Sequence, residues 1–181
     1  MCGIAGIVDG SEQACVNPGD LECMAEVLKH RGPDDKGTYL DNGSPAAGLA
    51  HSRLKVIDLE TGAQPMFNET GSIAAVFNGE IYNYRELRRE LMNKGHTFKT
   101  KSDTEVLVHL YEESGTEMPC RLRGMFAFAI WDSAEKNLFG AVDRFSQKPF
   151  FYSHQGNSFV FASELKAITC LPDKNFKLNS P

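Results

Sequence analysis

The order in which strand-like and helix-like patterns follow one another restricts this chain's fold more than any other feature. Short apolar runs rich in small and β-branched residues fall into two blocks, at 3–77 and 125–161, with two amphipathic helical patterns between them. In the first block, residues 3–8 read as a buried strand, and 39–40, 47–51, 54–58 and 72–77 as further strands punctuated by Gly, Asn and Pro. A helix is predicted at 21–29, with Leu21, Met24, Ala25, Val27 and Leu28 on one face and His30-Arg31-Gly32-Pro33 as its stop. The paired helices are predicted at 83–93 and 102–114. Each opens with a capping box, Asn83 with Glu86 and Ser102 with Glu105. The second block holds strands at 125–131, 138–142, 149–152 and 158–161, then a short helix at 164–168. Strands in runs, rather than one helix per strand, predict an α+β fold with antiparallel sheets.

The length of 181 residues suits one domain, placed at 1–171, with 172–181 as a tail or the start of a linker. A net charge of −5 without a long basic run argues against nucleic-acid and anionic-membrane partners. The strongest apolar run, 125–131, is too short to span a bilayer, and Asp9 interrupts any signal-like start, so the expected compartment is the cytoplasm. Five cysteines at wide spacing, with no C-x-x-C, and five scattered histidines predict neither a disulfide framework nor a metal site. Cys15, Cys23, Cys120 and Cys170 read as small hydrophobes in or near the core.

Cys2 is different because of its position. Methionine aminopeptidase generally removes Met1 before a residue as small as Cys, which would place a free α-amine on Cys2. An unperturbed thiol titrates near 8.5 and an α-amine near 7.7–8.0, so one residue would hold both nucleophile and base. The alternative is a buried structural thiol at the head of a strand. Asn78-Gly79 reads either as a hairpin turn or as an oxyanion hole, the Asn78 amide and Gly79 N–H donating to a tetrahedral intermediate; the acid Glu80 directly after it favours a site. Arg53 is either a solvated cation at a strand end or a bidentate clamp for a substrate carboxylate. Asp103 either favours the first turn of its helix or holds a ligand ammonium. Residues 30–35 read as a helix stop, and 143–149 as a solvated connection between strands.

Taken together and in order, seven segments resemble one family. They are MCGIAGI at the start, HRGPD at 30–34, HSRLKVIDLETGAQP at 51–65, FNGEIYNY at 77–84, SDTEV at 102–106, GMFAFAIWD at 124–132 and SELKAI at 163–168. The chain thereby resembles class II glutamine amidotransferase domains, specifically the type fused to asparagine synthetases. The resemblance implies a four-layer αββα sandwich of two antiparallel sheets, the N-terminal-nucleophile hydrolase fold. It implies hydrolysis of L-glutamine with Cys2 as nucleophile and Asn78 with Gly79 as oxyanion hole. It also implies Arg53 on the substrate carboxylate, Glu80 and Asp103 on its ammonium, and the backbone around Leu54, Val56 and Ile57 lining the pocket.

No metal or cofactor is implied for this half. ATP and Mg²⁺ are expected only in a synthetase domain, because no Ser-Gly-Gly-x-Asp-Ser loop occurs here. The chain is expected to pass ammonia to such a domain, in cis or in trans, with aspartate as final acceptor and a sugar or peptide carboxylate as the alternative. A non-catalytic glutamine-binding module is the remaining reading. One departure stands out: Ser146 occupies the place of a Gly in the family's Asp-Arg-Phe-Gly-x-Lys-Pro segment.

Overall fold

The computed structural model describes residues 1–172; the proposed tail at 172–181 lies, beyond its first residue, outside them. Strands β1 (Gly3–Asp9), β2 (Asp35–Asp41), β3 (Ala46–Arg53), β8 (Phe151–Gln155) and β9 (Ser158–Ala162) form one sheet in the order β2-β3-β1-β9-β8. Strands β4 (Met66–Phe67), β5 (Ile73–Ile81), β6 (Gly124–Asp132) and β7 (Asn137–Val142) form a second in the order β4-β5-β6-β7. Every pairing in both is antiparallel.

Three apolar clusters show how the layers stack. Ile4, Ala47 and Leu49 of the first sheet meet Ala74, Val76, Ala127 and Trp131 of the second, closing the centre of the sandwich. Ala5, Ile7 and Ala50 face the other way, onto α1 (Pro18–Val27) and α4 (Leu165–Thr169) through Leu21, Met24 and Ile168. Ile73, Ala75, Phe77 and Phe128 likewise face α2 (Tyr84–Asn93) and α3 (Glu105–Ser114) through Leu87, Leu91, Val106 and Leu110. Alternate residues of β1 and β5 thus serve alternate interfaces, as the two-residue strand period demands. The result is the four-layer αββα sandwich. No helix among the described residues is long and apolar enough to cross a membrane.

Several local expectations fail, each for a tertiary reason. Residues 54–58 form no strand; they loop out after β3 to a positive φ of 51° at Asp58. Asn78-Gly79 is not a turn, because β5 runs straight through it and pairs Asn78 with Ala127 and Gly79 with Phe126. Gly is needed there for close approach: a Cβ at 79 would sit 2.1 Å from the Met125 carbonyl oxygen. Neither capping box forms. The Asn83 side chain is taken by the Arg121 carbonyl and the Arg123 N–H. Glu105 instead accepts from the N–H groups of Lys99 and Thr100, and α3 begins only at Glu105 itself. Helix α1 starts earlier than its apolar face, because Asn17 caps the Gly19 N–H at 2.9 Å and Pro18 opens the first turn. The two-residue β4 and a 3₁₀ helix at Gly115–Arg121 carried no periodic signal, and β8 begins two residues later than expected. Cys15 and Cys120 are exposed rather than in the core.

Candidate active site

One cleft gathers Cys2, Arg53, Leu54, Val56, Ile57, Asn78, Gly79, Glu80 and Asp103, which are far apart in sequence. At about 140 Å³ it is below the roughly 300–1,000 Å³ of drug-sized pockets and suits a molecule the size of an amino acid. It opens where the N-terminal end of β1, the C-terminal ends of β3 and β5, and the loop at 54–65 meet.

Cys2 lies just before β1, and the loop after β3 folds back over its sulfur. The Leu54 N–H donates to Cys2 Sγ at 3.4 Å, and the Leu54 carbonyl lies 3.6 Å from the same atom. Burial raises the thiol's pKa, while the Leu54 N–H, the chain-terminal ammonium and Arg53 pull in the opposite direction. The thiol is therefore held mostly neutral near pH 7, so a nearby base must take its proton before it can attack.

The edge of β5 supplies the opposite wall. Its odd-numbered N–H groups point away from β6, and the cleft region holds three of them in different ways. The Phe77 N–H donates to Gln64 Oε1 at 2.7 Å, and the Ile81 N–H to Asp103 Oδ2 at 3.0 Å. Strand alternation sends the Gly79 N–H to the same side, between those two. Phe126, which faces Gly79, turns its own N–H and carbonyl to Asp143 instead. The Asn78 side chain, 1% exposed, presents Nδ2 with no hydrogen-bond partner among the described residues. Buried amide donors are nearly always satisfied, so this one stands ready for an acceptor that enters the cleft. Behind it, fully buried His51 links the two sheets from Nε2 to the Phe77 carbonyl at 3.1 Å, and burial lowers its pKa to about 4, keeping the ring neutral.

The charged groups divide the cleft. Arg53 is only 4% exposed, which rules out the solvated reading. Its Nη2 donates to the carbonyls of Ile57 and Asp58 and so pins the loop over Cys2. Asp103 is buried ahead of α3 rather than in its first turn. Burial raises its pKa and Glu80 adds to that, against the opposing Ile81 hydrogen bond. A cation arriving between Asp103 and Glu80 would relieve both effects.

The sequence pattern of the glutamine amidotransferase domain family matches residues 1–181. The chain belongs to this family.

Relatives of the amidotransferase domain include asparagine synthetase [glutamine-hydrolyzing] 3 of Bacillus subtilis, 43% identical over 96% of this chain and 28% of that protein. The probable asparagine synthetase of Dictyostelium discoideum is 41% identical over 93% of the chain and 30% of its own length. The chain thus spans between a quarter and a third of these relatives. Among solved structures, the glutamine phosphoribosylpyrophosphate amidotransferase of B. subtilis superposes with a TM-score of 0.73 at 28% identity, covering 93% of this chain and 43% of that one.

The amidotransferase domain also uses residues that sequence reasoning passed over. Arg31, read as part of a helix stop, donates from Nε to the Cys2 carbonyl at 2.9 Å and from Nη1 to Glu164 at 2.9 Å. Burial would raise the Glu164 pKa, yet Arg31, His30 and Lys166 hold it at about 2. This ion pair fixes the backbone of the residue before β1. Gln64 bridges the loop to β5 and, at 3.3 Å, to Thr104 before α3. The HRGPD and GAQP motifs were the signals for these two residues.

The segment at 143–149 is solvated at 144–147, as expected of a connection between strands, but its ends are buried and hydrogen-bonded. Asp143 accepts from the N–H groups of Phe126, Phe145 and Gln147, and buried Lys148 reaches the cleft beside Met1. Ser146 in that loop has φ 50°, the left-handed region that a Gly adopts without penalty. The Ser side chain there costs about 1 kcal/mol, offset by the Asp143 bonds that hold the loop.

Proposed function

We propose that this domain hydrolyses L-glutamine to glutamate and ammonia through a thioester on Cys2. The observation that carries the reading is the unpartnered Asn78 amide, buried in the same cleft as the Cys2 thiol. After Met1 is removed, the Cys2 amine takes the thiol proton and sulfur attacks the side-chain amide carbon of glutamine. The carbonyl oxygen becomes an oxyanion that accepts from Asn78 Nδ2 and the Gly79 N–H. The carbon–nitrogen bond then breaks, the amine hands its proton to the departing ammonia, and water cleaves the thioester to release glutamate. Arg53 pairs with the substrate α-carboxylate, and Glu80 with Asp103 receive its ammonium, a division of charge that fits a zwitterion. Met1 itself lines the cleft, so its removal frees the amine and clears space together.

In this reading the glutaminase step uses groups of the domain alone, and ATP with Mg²⁺ belongs to a synthetase domain that makes asparagine from aspartate. That domain would pack near residues 143–149, where Phe145 and neighbouring Phe151 and Tyr152 expose aromatic surface. The cytoplasm is its compartment. The test is an ammonia assay on the chain without ATP, followed by an asparagine assay after a synthetase domain, aspartate and ATP are added. Ammonia alone, then asparagine on addition, is the expected pair of results. Ammonia without asparagine in either case points to another acceptor, and asparagine from this chain alone overturns the assignment.

Arg53→Ala separates binding from chemistry. Loss of a charged hydrogen-bond pair is expected to raise KM about 10- to 100-fold with kcat little changed, since a carboxylate clamp acts on ground and transition states alike. Steady-state kinetics decide it. A fall in kcat alone would mean that Arg53 matters chiefly through the loop carbonyls of Ile57 and Asp58.

A further inference from the structure

On the face covered by α2 and α3, away from the cleft, four side chains from three different segments converge. Glu69 lies in the turn between β4 and β5, His96 follows α2, and His109 and Glu112 stand one turn apart on α3. One ligand atom from each falls within 4.8 Å of all the others. His96 Nδ1 stands 3.5 Å from Glu69 Oε1 and 3.6 Å from Glu112 Oε2. His109 Nδ1 stands 3.2 Å from Glu69 Oε2 and 3.4 Å from Glu112 Oε2. A tetrahedral ion with bonds of 2.0–2.1 Å spaces its ligands about 3.3–3.4 Å apart, close to these nitrogen–oxygen separations, and small side-chain rotations bring one atom of each residue to that spacing.

The surroundings are also those of a metal centre. Each imidazole that turns Nδ1 inward has a carboxylate at its back: Glu113 lies 3.2 Å from His96 Nε2, and Glu105 lies 3.7 Å from the buried Nε2 of His109. Such carboxylate–histidine pairs orient ligands and raise their basicity. The two ligating carboxylates are themselves held, Glu69 by the Thr97 N–H at 2.8 Å and Glu112 by Asn68 Nδ2 at 2.9 Å. His109 is 1% exposed and packs edge-on against Phe98, whereas Glu69 and Glu112 are partly exposed and leave a path from solvent. We propose that Glu69, His96, His109 and Glu112 bind one divalent transition-metal ion, with zinc as the best fit to two imidazoles and two carboxylates. Four protein ligands leave no open coordination position, so the ion is structural: it staples the β4–β5 turn and the α2–α3 connection to α3.

The test uses the whole chain, stripped with chelator and titrated with Co²⁺ as a spectroscopic probe, then with Zn²⁺ in competition. One equivalent of Co²⁺ is expected, with the intense d–d bands of a tetrahedral site and no thiolate charge-transfer band, which separates this site from Cys2 and the other thiols. Zn²⁺ at about a hundred times Kd is expected to raise Tm by roughly 5–10 °C. His96→Gln should abolish stoichiometric uptake, and Glu113→Gln, which only backs His96, should weaken it about 10- to 100-fold. Both variants alter partly exposed side chains away from the cleft, and glutaminase activity serves as their check of folding. Uptake well below one equivalent, a thiolate band, or equal affinity in both variants and the parent chain overturns the site. A Tm indifferent to Zn²⁺ does so too, and leaves a proton-bridged histidine–carboxylate cluster in its place.

Discussion

Cys2→Ala is expected to abolish glutamine hydrolysis, by roughly four orders of magnitude or more, while glutamine still binds. The loss is large because Cys2 is the one thiol among the described residues lining the cleft, and oxyanion donors alone give only residual catalysis. Binding is expected to survive because, in the proposed reading, Arg53, Glu80 and Asp103 hold the far end of the substrate. The thiol carries its own signature. Burial raises its pKa, so capture by a glutamine-like electrophile should quicken as pH rises toward that value and the thiolate fraction grows. A generic alkylating agent is a poor probe, because exposed Cys15 and Cys120 will compete for it. Chain that retains Met1 should label and turn over poorly even with Cys2 intact, since its amine is locked in a peptide bond. Ammonia release by Cys2→Ala at the parent rate would sink the thioester mechanism.

Asn78→Ala is expected to lower kcat by about 10²–10³ with KM nearly unchanged, the usual cost of removing one oxyanion donor. Nδ2 makes no hydrogen bond among the described residues, so the substitution removes a donor that the fold itself does not use. The small void left in the sandwich should move Tm by only a few degrees. Asn78→Asp keeps the shape and exchanges a donor for a charge at the place where negative charge develops, so it should be at least as inactive. Kinetics and thermal melts on the two variants distinguish the roles. A large drop in Tm with kcat preserved would make Asn78 a packing residue of β5.

The α+β class and the antiparallel sheets were legible in the chain because strand runs with a two-residue period and paired amphipathic helices are local patterns. The candidate site residues stood out for another reason: Cys2, Arg53, Asn78, Gly79, Glu80 and Asp103 sit in ordered motifs whose residue types match a reaction. Their convergence was not. Asn78-Gly79 is, by local rules, a turn, and it became part of a straight strand because β6 pairs along its whole length and accepts a Gly at close approach. Ser102 and Glu105 form a capping box by local rules, and the helix declined it because Lys99 and Thr100 offered their N–H groups to Glu105 first. Arg31 looked like punctuation until the fold laid it against the Cys2 carbonyl. The starkest case is the cluster of Glu69, His96, His109 and Glu112. Scanning for close-set ligands misses it, since its parts are spread over 44 positions, in a turn, a loop and one helix. Local preference reports what each segment does alone; which backbone edge or carboxylate it finally meets depends on how two sheets and two helix layers stack, and that is settled by burial summed over the whole domain.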